Sequence, residues 1–438
     1  MRSFLAFIAL LAISSAIPVN VMMPLNTIQT DGSLNPNINL QDKLQKLKSG
    51  GVNGVMLDVW WGIVERNGPR QYDFSGYTMF ADMCSKIGLK VQVVMSFHQC
   101  GGNVGDDCNI PIPGWVRNVG SDIFYRDREG HNDVEYLSLS MDHQQRWSGR
   151  TALDMYHDMM AAFRQAMGSR MGSVVTEVQV GLGPCGELRY PGYQLDRWSF
   201  PGVGEFQCYD PTMLNMLESA ANNSGHAEWG HGGPGDAGSY NSKPGDTGFF
   251  RSGGSWSTPY GDFFLSWYSD ALVQHASDVL AQAKSAFQGT GVKLAGKVAG
   301  IHWWFLSESH AAELTAGYYN TRSRSGYNKI VKAFKEAGAI IDFTCFEMRD
   351  TEQPSSAQCG PYELVGQTLW EAKNVGIGYA AENALPRYDD TAYATILDNS
   401  VRQMKIDAFT YLRLTDDLIY NGDNWSRFAN FVGKMAAQ

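Results

Sequence analysis

The sequence predicts an α/β chain, a single (β/α)8 TIM barrel with long loops after strands 3 and 4 on the C-terminal face. Three observations carry this. Short runs rich in Val, Ile, Phe and Met alternate with helix-length segments along the whole chain. Several runs are nearly continuous in hydrophobicity, as strands buried on both faces of a parallel sheet are. The alternation counts out to eight strand–helix units, more than a doubly wound open sheet usually carries.

Taken in order, the first strand is Val19–Leu25, followed by a helix over Leu40–Ser49 that ends at Gly50-Gly51, where a left-handed residue closes a helix without strain. The second strand, Gly54–Trp61, leads to a helix over Tyr77–Ile87, closed by Gly88. The third and fourth strands are Leu89–His98 and Val174–Gly183, with a helix over Ala152–Met167 between them and one over Asp262–Phe287 after them. Leu294–Trp304 is the fifth strand, and its helix, Tyr327–Ala337, stops at Gly338. The remaining units are Ile340–Met348 with Pro361–Asn374, Val375–Leu385 with Thr391–Met404, and Asp407–Leu414 with Asn424–Met435. Two long interruptions, Gly101–Arg150 and Pro184–Gly261, follow strands 3 and 4 and read as structureless binding loops or lids. Both hang on the side where barrel active sites form.

At ~150 residues per domain, 438 residues would make about three domains. A barrel absorbs that length in one, so the expected division is a leader over 1–16 and one catalytic domain over 17–438. Arg2, the apolar run Phe4–Ile13 and the small residues Ser14 and Ala16 form a secretory signal. No later segment is long and apolar enough to span a bilayer, which needs about 20 residues. The expected destination is outside the cell or the lumen of a secretory or digestive vesicle, with no membrane attachment after cleavage. The net charge of −10 argues against nucleic acid as a partner. Twelve Trp and 20 Tyr suit the flat faces of sugar rings, although a large core absorbs most of them. Seven cysteines leave at least one thiol unpaired within the chain. Cys100 and Cys108 flank a short glycine-rich span able to bring its ends together, and are a disulfide candidate on an oxidising route. No Cys-x-x-Cys or His-x-x-x-His spacing points to a metal, and no cofactor is expected.

In a barrel the strand C-termini make the site. Here they carry acids, amides and aromatic rings, the make-up of a carbohydrate site. Glycoside hydrolysis needs two carboxyls flanking the scissile bond. Glu187 and Glu382 are the best pair, at the ends of strands 4 and 7 on roughly opposite sides of the ring. A wide gap between them would be the inverting arrangement, about 6.5–9.5 Å. Asp58 and Glu347 are rivals on the same grounds, and Arg189 and Arg387 are either site partners or plain ion pairs. On the residues alone His98 and His302 read first as satisfied core histidines.

At these residues the chain resembles the β-amylases, glycoside hydrolase family 14. The matches include Gly54–Gly62, Ser96-Phe97-His98-Gln99 through Asp106, Gly186-Glu187-Leu188-Arg189-Tyr190-Pro191, Phe200–Asp210, Gly300–Trp304, Phe343-Thr344-Cys345 with Glu347-Met348-Arg349-Asp350, and Ala381–Tyr388. The similarity runs from about Pro18 to the end. It implies an exo-acting enzyme that releases maltose, with inversion to the β-anomer, from non-reducing ends of α-1,4-glucans. By match, Glu187 is the general acid and Glu382 the general base. Gly101–Asp106 is a lid whose Asp106 touches substrate, and an inner loop surrounds Thr344. Asp58, His98, Lys297, His302, Asn383, Ala384 and Arg413 match sugar contacts, and Trp303 and Leu385 match apolar surfaces under the rings. The acid then has to be protonated near working pH, by burial or a neighbouring acid, and the base kept ionised by a cation such as Lys297. Cys185, two residues before the acid, departs from the Ala or Ser common in relatives. Pro69 and Arg70 stand where bacterial relatives carry calcium ligands, so no calcium is expected. The alternative is a non-catalytic glucan or maltose sensor on the same fold. The presence of Glu187, Glu382, Asp106 and Thr344 favours the enzyme.

Overall fold

The computed structural model describes residues 16–438, so the expected leader falls outside the described residues except for Ala16. Eight parallel strands close into one barrel: β1 (Val19–Met22), β2 (Gly54–Trp60), β3 (Lys90–Ser96), β4 (Val175–Val180), β5 (Lys293–Val298), β6 (Ala339–Phe343), β7 (Tyr379–Glu382) and β8 (Ala408–Tyr411). β1 pairs with both β2 and β8, which closes the ring. The outer helices are α1 (Leu40–Ser49), α2 (Ser75–Ile87), α3 (Ala152–Met167), α4 (Pro259–Phe287), α5 (Tyr327–Ala337), α6 (Pro361–Val375), α7 (Asp390–Arg402) and α8 (Gly422–Ala436). Every expected strand and helix is present. Gly88 and Gly338 close α2 and α5 in the left-handed conformation, φ 83° and 76°.

The strands stop earlier than their hydrophobicity suggests. β5 ends at Val298 rather than Trp304, and β6 at Phe343 rather than Met348. Beyond the last ladder bond the backbone turns over the barrel mouth, with Trp304 and Cys345 at φ 59° and 60°. The apolar residues that mimic strand there fill the layer between mouth and helices instead. The two long interruptions are not structureless either. The first contains an antiparallel ribbon, Phe124–Arg126 against Asn132–Leu137. The second contains a helix, Pro211–Asn223, capped by Asp210, whose carboxylate accepts from the amides of Thr212 and Met213. That helix buries Met213, Leu217 and Ala221.

Both faces of the strands are buried, but not by the same chemistry. Successive strand residues alternate faces. Val55, Leu57 and Val59 of β2 and Val91, Val93 and Met95 of β3 belong to the large core between sheet and helices. The residues between them point into the lumen, which is polar. Thr410 donates to Gln92 at 2.9 Å, Gln92 donates to Glu177 at 2.9 Å, and the Gln179 amide donates to Asp342. Met22, Met56 and Val94 form a small separate apolar cluster there. Polar side chains at this depth persist only when hydrogen-bonded, so the lumen is a connected network.

Candidate active site

The acid candidate is set by the turn after β4. Gly183 is obligatory there, because a Cβ would come within 2.4 Å of the Glu187 carbonyl oxygen. Cys185 and Gly186 follow at φ 55° and 75°. The Leu188 amide then donates to the Lys297 carbonyl at 2.8 Å, pinning the acid to β5. The expectation of burial or a neighbouring acid around Glu187 meets a different arrangement. Arg189 Nε donates to Glu187 Oε2 at 2.7 Å, so a cation stands beside the carboxyl.

The base candidate, Glu382, ends β7 and is fully buried. Lys297 Nζ lies 2.5 Å from its Oε2. Burial works against a charged lysine, but the carboxyls of Glu382, Glu187 and Asp342 outweigh it and raise the Lys297 ammonium above its ordinary range. Asp342, inward on β6, accepts from the Gln179 amide, and burial and then the Glu382 charge push its carboxyl well up. The Lys297 ammonium is the counter-charge set against the Glu382 carboxyl.

One cavity of about 160 Å³ is lined by Asp58, His98, Asp106, Glu187, Lys297, Thr344, Asn383, Ala384 and Arg413, nine of the thirteen predicted site residues. Lid residues Val104 and Asp106 line the same space as the barrel residues, so the lid lies over the site. Asp106 Oδ2 accepts from the amides of Gly101 and Asn103, at 2.8 and 3.0 Å, and so shapes the lid. Burial, then Lys297 and Arg189, drive His98 down to about 3, and burial lowers His302 against a hydrogen bond to the Gly300 carbonyl. Both imidazoles are therefore neutral, able to donate and accept toward hydroxyls. Asp58 accepts from Ser96 at 2.9 Å, and burial raises its carboxyl.

His302, Trp303, Leu385 and Glu382 are outside that cavity lining. Trp303 belongs to an aromatic wall with Tyr193, Trp198 and Phe200, its ring centroid 5.2–6.0 Å from theirs, and His302 edges onto its ring. Leu385 stands exposed at the rim. Thr344 Oγ1 accepts from the Gly300 amide at 2.7 Å. Glu347, a rival acid, is a scaffold: it is fully buried and accepts from the amides of Ala384 and Leu385 at 2.9–3.1 Å, fixing the loop after the base. Arg387 pairs with Glu352 and Asp389, an ion pair away from the base.

Asp342 and Gln179 are the site residues that sequence reasoning missed. Asp342 interrupts an otherwise apolar strand, and Gln179 alternates with valines on its own strand, two residues after Glu177; that alternation was the available signal. Trp60 also lines the cavity, while Trp61 faces the core against Phe97 and Tyr156.

Cys100 and Cys108 are bonded, their Cα atoms 5.7 Å apart, while Cys84, Cys185, Cys208, Cys345 and Cys359 are free. The bridge joins the two ends of the lid. Its short loop stabilises by about 2–3 kcal/mol in the chain-entropy view. Peptide mapping should find this single bridge, and replacing both cysteines by serine should raise KM several-fold more than it lowers kcat, since the lid has to be ordered anew around each substrate.

The model of the family described as glycosyl hydrolase family 14 matches residues 20–438. A rice protein (Oryza sativa subsp. japonica) named beta-amylase 2, chloroplastic, is 51% identical over 96% of this chain and 77% of its own length. The soybean (Glycine max) beta-amylase is 48% identical over 96% of the chain and 87% of its own. Among solved structures, the catalytic domain of a beta-amylase from Paenibacillus polymyxa superposes with a TM-score of 0.81 at 31% identity, covering 97% of this chain and all of that domain. Two carboxyl-bearing strand ends under a disulfide-anchored lid, joined to a family match along nearly the whole length, leave one assignment: the chain belongs to glycosyl hydrolase family 14.

Proposed function

We propose that the chain is an exo-acting, inverting β-amylase in which Glu187 is the general acid and Glu382 the general base. The hydrolysis of starch-type α-1,4-glucans to maltose follows from the family. The residue roles rest on one observation: two carboxyls at the ends of strands three positions apart in the ring, one paired with Arg189 beside the cavity and one paired with Lys297 beneath it.

In this reading the chain end enters beneath the lid. Glu187 passes a proton to the leaving-group oxygen. Glu382 takes a proton from a water that attacks the anomeric carbon from the opposite face, so the configuration inverts. Asp58, His98, Lys297, Asn383 and Arg413 hold hydroxyls, and the Trp303 wall and Leu385 take ring faces. Lid closure excludes bulk water from the reacting bond.

Proton NMR of maltohexaose with the mature protein tests this. β-Maltose should give the first anomeric signal. An α-anomer first would overturn inversion, and saturable maltose binding without turnover would favour the sensor. Export is a separate proposal resting on residues 1–16 and on a disulfide that suits an oxidising compartment. N-terminal sequencing of protein recovered from medium should begin near Ile17.

A further inference from the structure

The pairing seen at Glu187 sits poorly with its proposed role. An acid must carry a proton to give one away, yet Arg189 Nε already donates to Glu187 Oε2 at 2.7 Å and occupies that oxygen. Arg189 is 2% exposed and cannot discharge its preference into water. It is planar, permanently charged and able to fork between two acceptors. Its second terminal nitrogen, Nη2, reaches Asn103 Oδ1 of the lid at 3.2 Å, and its plane lies 4.4 Å over the Tyr193 ring.

A second carboxyl acts on the same guanidinium. Glu135, on the antiparallel ribbon, is 4% exposed and its Oε2 has no well-formed hydrogen bond. Arg189 is the only cation among the groups acting most strongly on it, and Asn103 lies against it. The Asn103 amide nitrogen is buried and likewise without a well-formed partner. Gly102 of the lid packs on the same carboxyl, since a Cβ there would come 3.2 Å from Glu135 Oε1. Asp106 and Asp196 also face Glu135, and Asp133, buried beside it, accepts from its amide at 2.8 Å. Glu187 for its part is faced by Arg189, Lys297, Cys185, Tyr193 and Tyr318. One buried cation thus interacts with two carboxyls, one directly and one across Asn103.

We infer that Glu135 is a positioning residue for the acid: it is the alternate partner of Arg189, and takes over the guanidinium so that Glu187 can carry the proton for the leaving group. This rests on Glu187 being the acid. The arrangement seen here, with Arg189 on Glu187, is the resting member of the pair; burial raises the Glu135 carboxyl to about 7 against the pull of Arg189, which makes it able to hold the proton meanwhile. In the working member the cation and the proton have changed sides. No atom is gained or lost, and the exchange passes beside Asn103, so the seating of the lid biases it.

The test is the pH profile of kcat/KM on maltohexaose. The basic limb reports loss of the acid's proton. Glu135→Gln leaves Arg189 committed to Glu187, so the basic limb should move down by about one pH unit. Glu135→Asp keeps the charge and should restore it toward wild type. An unmoved limb in Glu135→Gln, with kcat lowered evenly at all pH, would overturn the inference and leave Glu135 a structural residue. Should Glu135→Gln not fold, Asn103→Asp adds a negative charge against Arg189 and should move the limb up; an unmoved limb there overturns the inference equally. Glu187→Gln separates the two ideas. If it retains activity, the acid assignment itself fails, whereas an inactive Glu187→Gln with unmoved limbs in the other variants sinks the Glu135 role alone.

Discussion

Replacing Glu382 by glutamine should lower kcat by about 10²–10⁴-fold, the contribution a positioned base makes, while maltose still binds. The amide keeps the volume but cannot accept the proton from the attacking water. Glu187→Gln should show a loss of the same order for a different reason, and substrate chemistry tells the two apart. A maltoside whose leaving group departs without protonation, such as a nitrophenolate, needs no acid. Such a substrate should restore much of the rate in Glu187→Gln and none in Glu382→Gln. Equal rescue of both variants would remove the distinction between acid and base. Steady-state kinetics on the two substrates, with circular dichroism as a control for folding, suffice.

Lys297→Met should be the most damaging single change to the fold within the site. It leaves Glu382, fully buried, with its main counter-charge gone. Breaking one side of a buried ion pair costs about 3–5 kcal/mol, because the remaining charge is stranded away from water. The chain can relieve that cost by protonating Glu382, which disables the base. Activity at the acidic end of the profile should therefore be lost at a higher pH than in wild type. Adding Glu382→Gln to Lys297→Met removes both partners, and the double variant should regain part of the lost stability in urea unfolding, a coupling a double-mutant cycle measures. A Lys297→Met protein as stable as wild type would mean that the lysine does not hold the base ionised.

Much of this was legible beforehand, for identifiable reasons. Strand and helix order follows from hydrophobic runs, and α1, α3 and α5 start and stop where the sequence predicts because glycines or polar residues bound their apolar stripes. Strand ends were not legible. Leu294–Trp304 and Ile340–Met348 stay apolar past the sheet, because the residues over the mouth are covered by other loops rather than by water. The catalytic candidates were legible through long motifs, but their electrostatics were not. That Lys297 meets Glu382 needs the β5–β6–β7 register, and that Arg189 grips Glu187 two residues away needs the kinked turn at Cys185. Glu135 and Asp342 were missed because each earns its place only through residues distant in sequence.

The two-faced strands have a consequence for how this barrel tolerates change. Even and odd positions on one strand answer to different selections. Val91, Val93 and Met95 hold the helices on, and trimming any of them costs about 0.5–5 kcal/mol, depending on the atoms removed. Gln92, Gln179 and Asp342 contribute to the lumen network instead, and apolar substitutes there are the kind that can stabilise a fold while emptying its chemistry. A screen for thermal tolerance and a screen for saccharification would thus draw opposite stripes along the same strands.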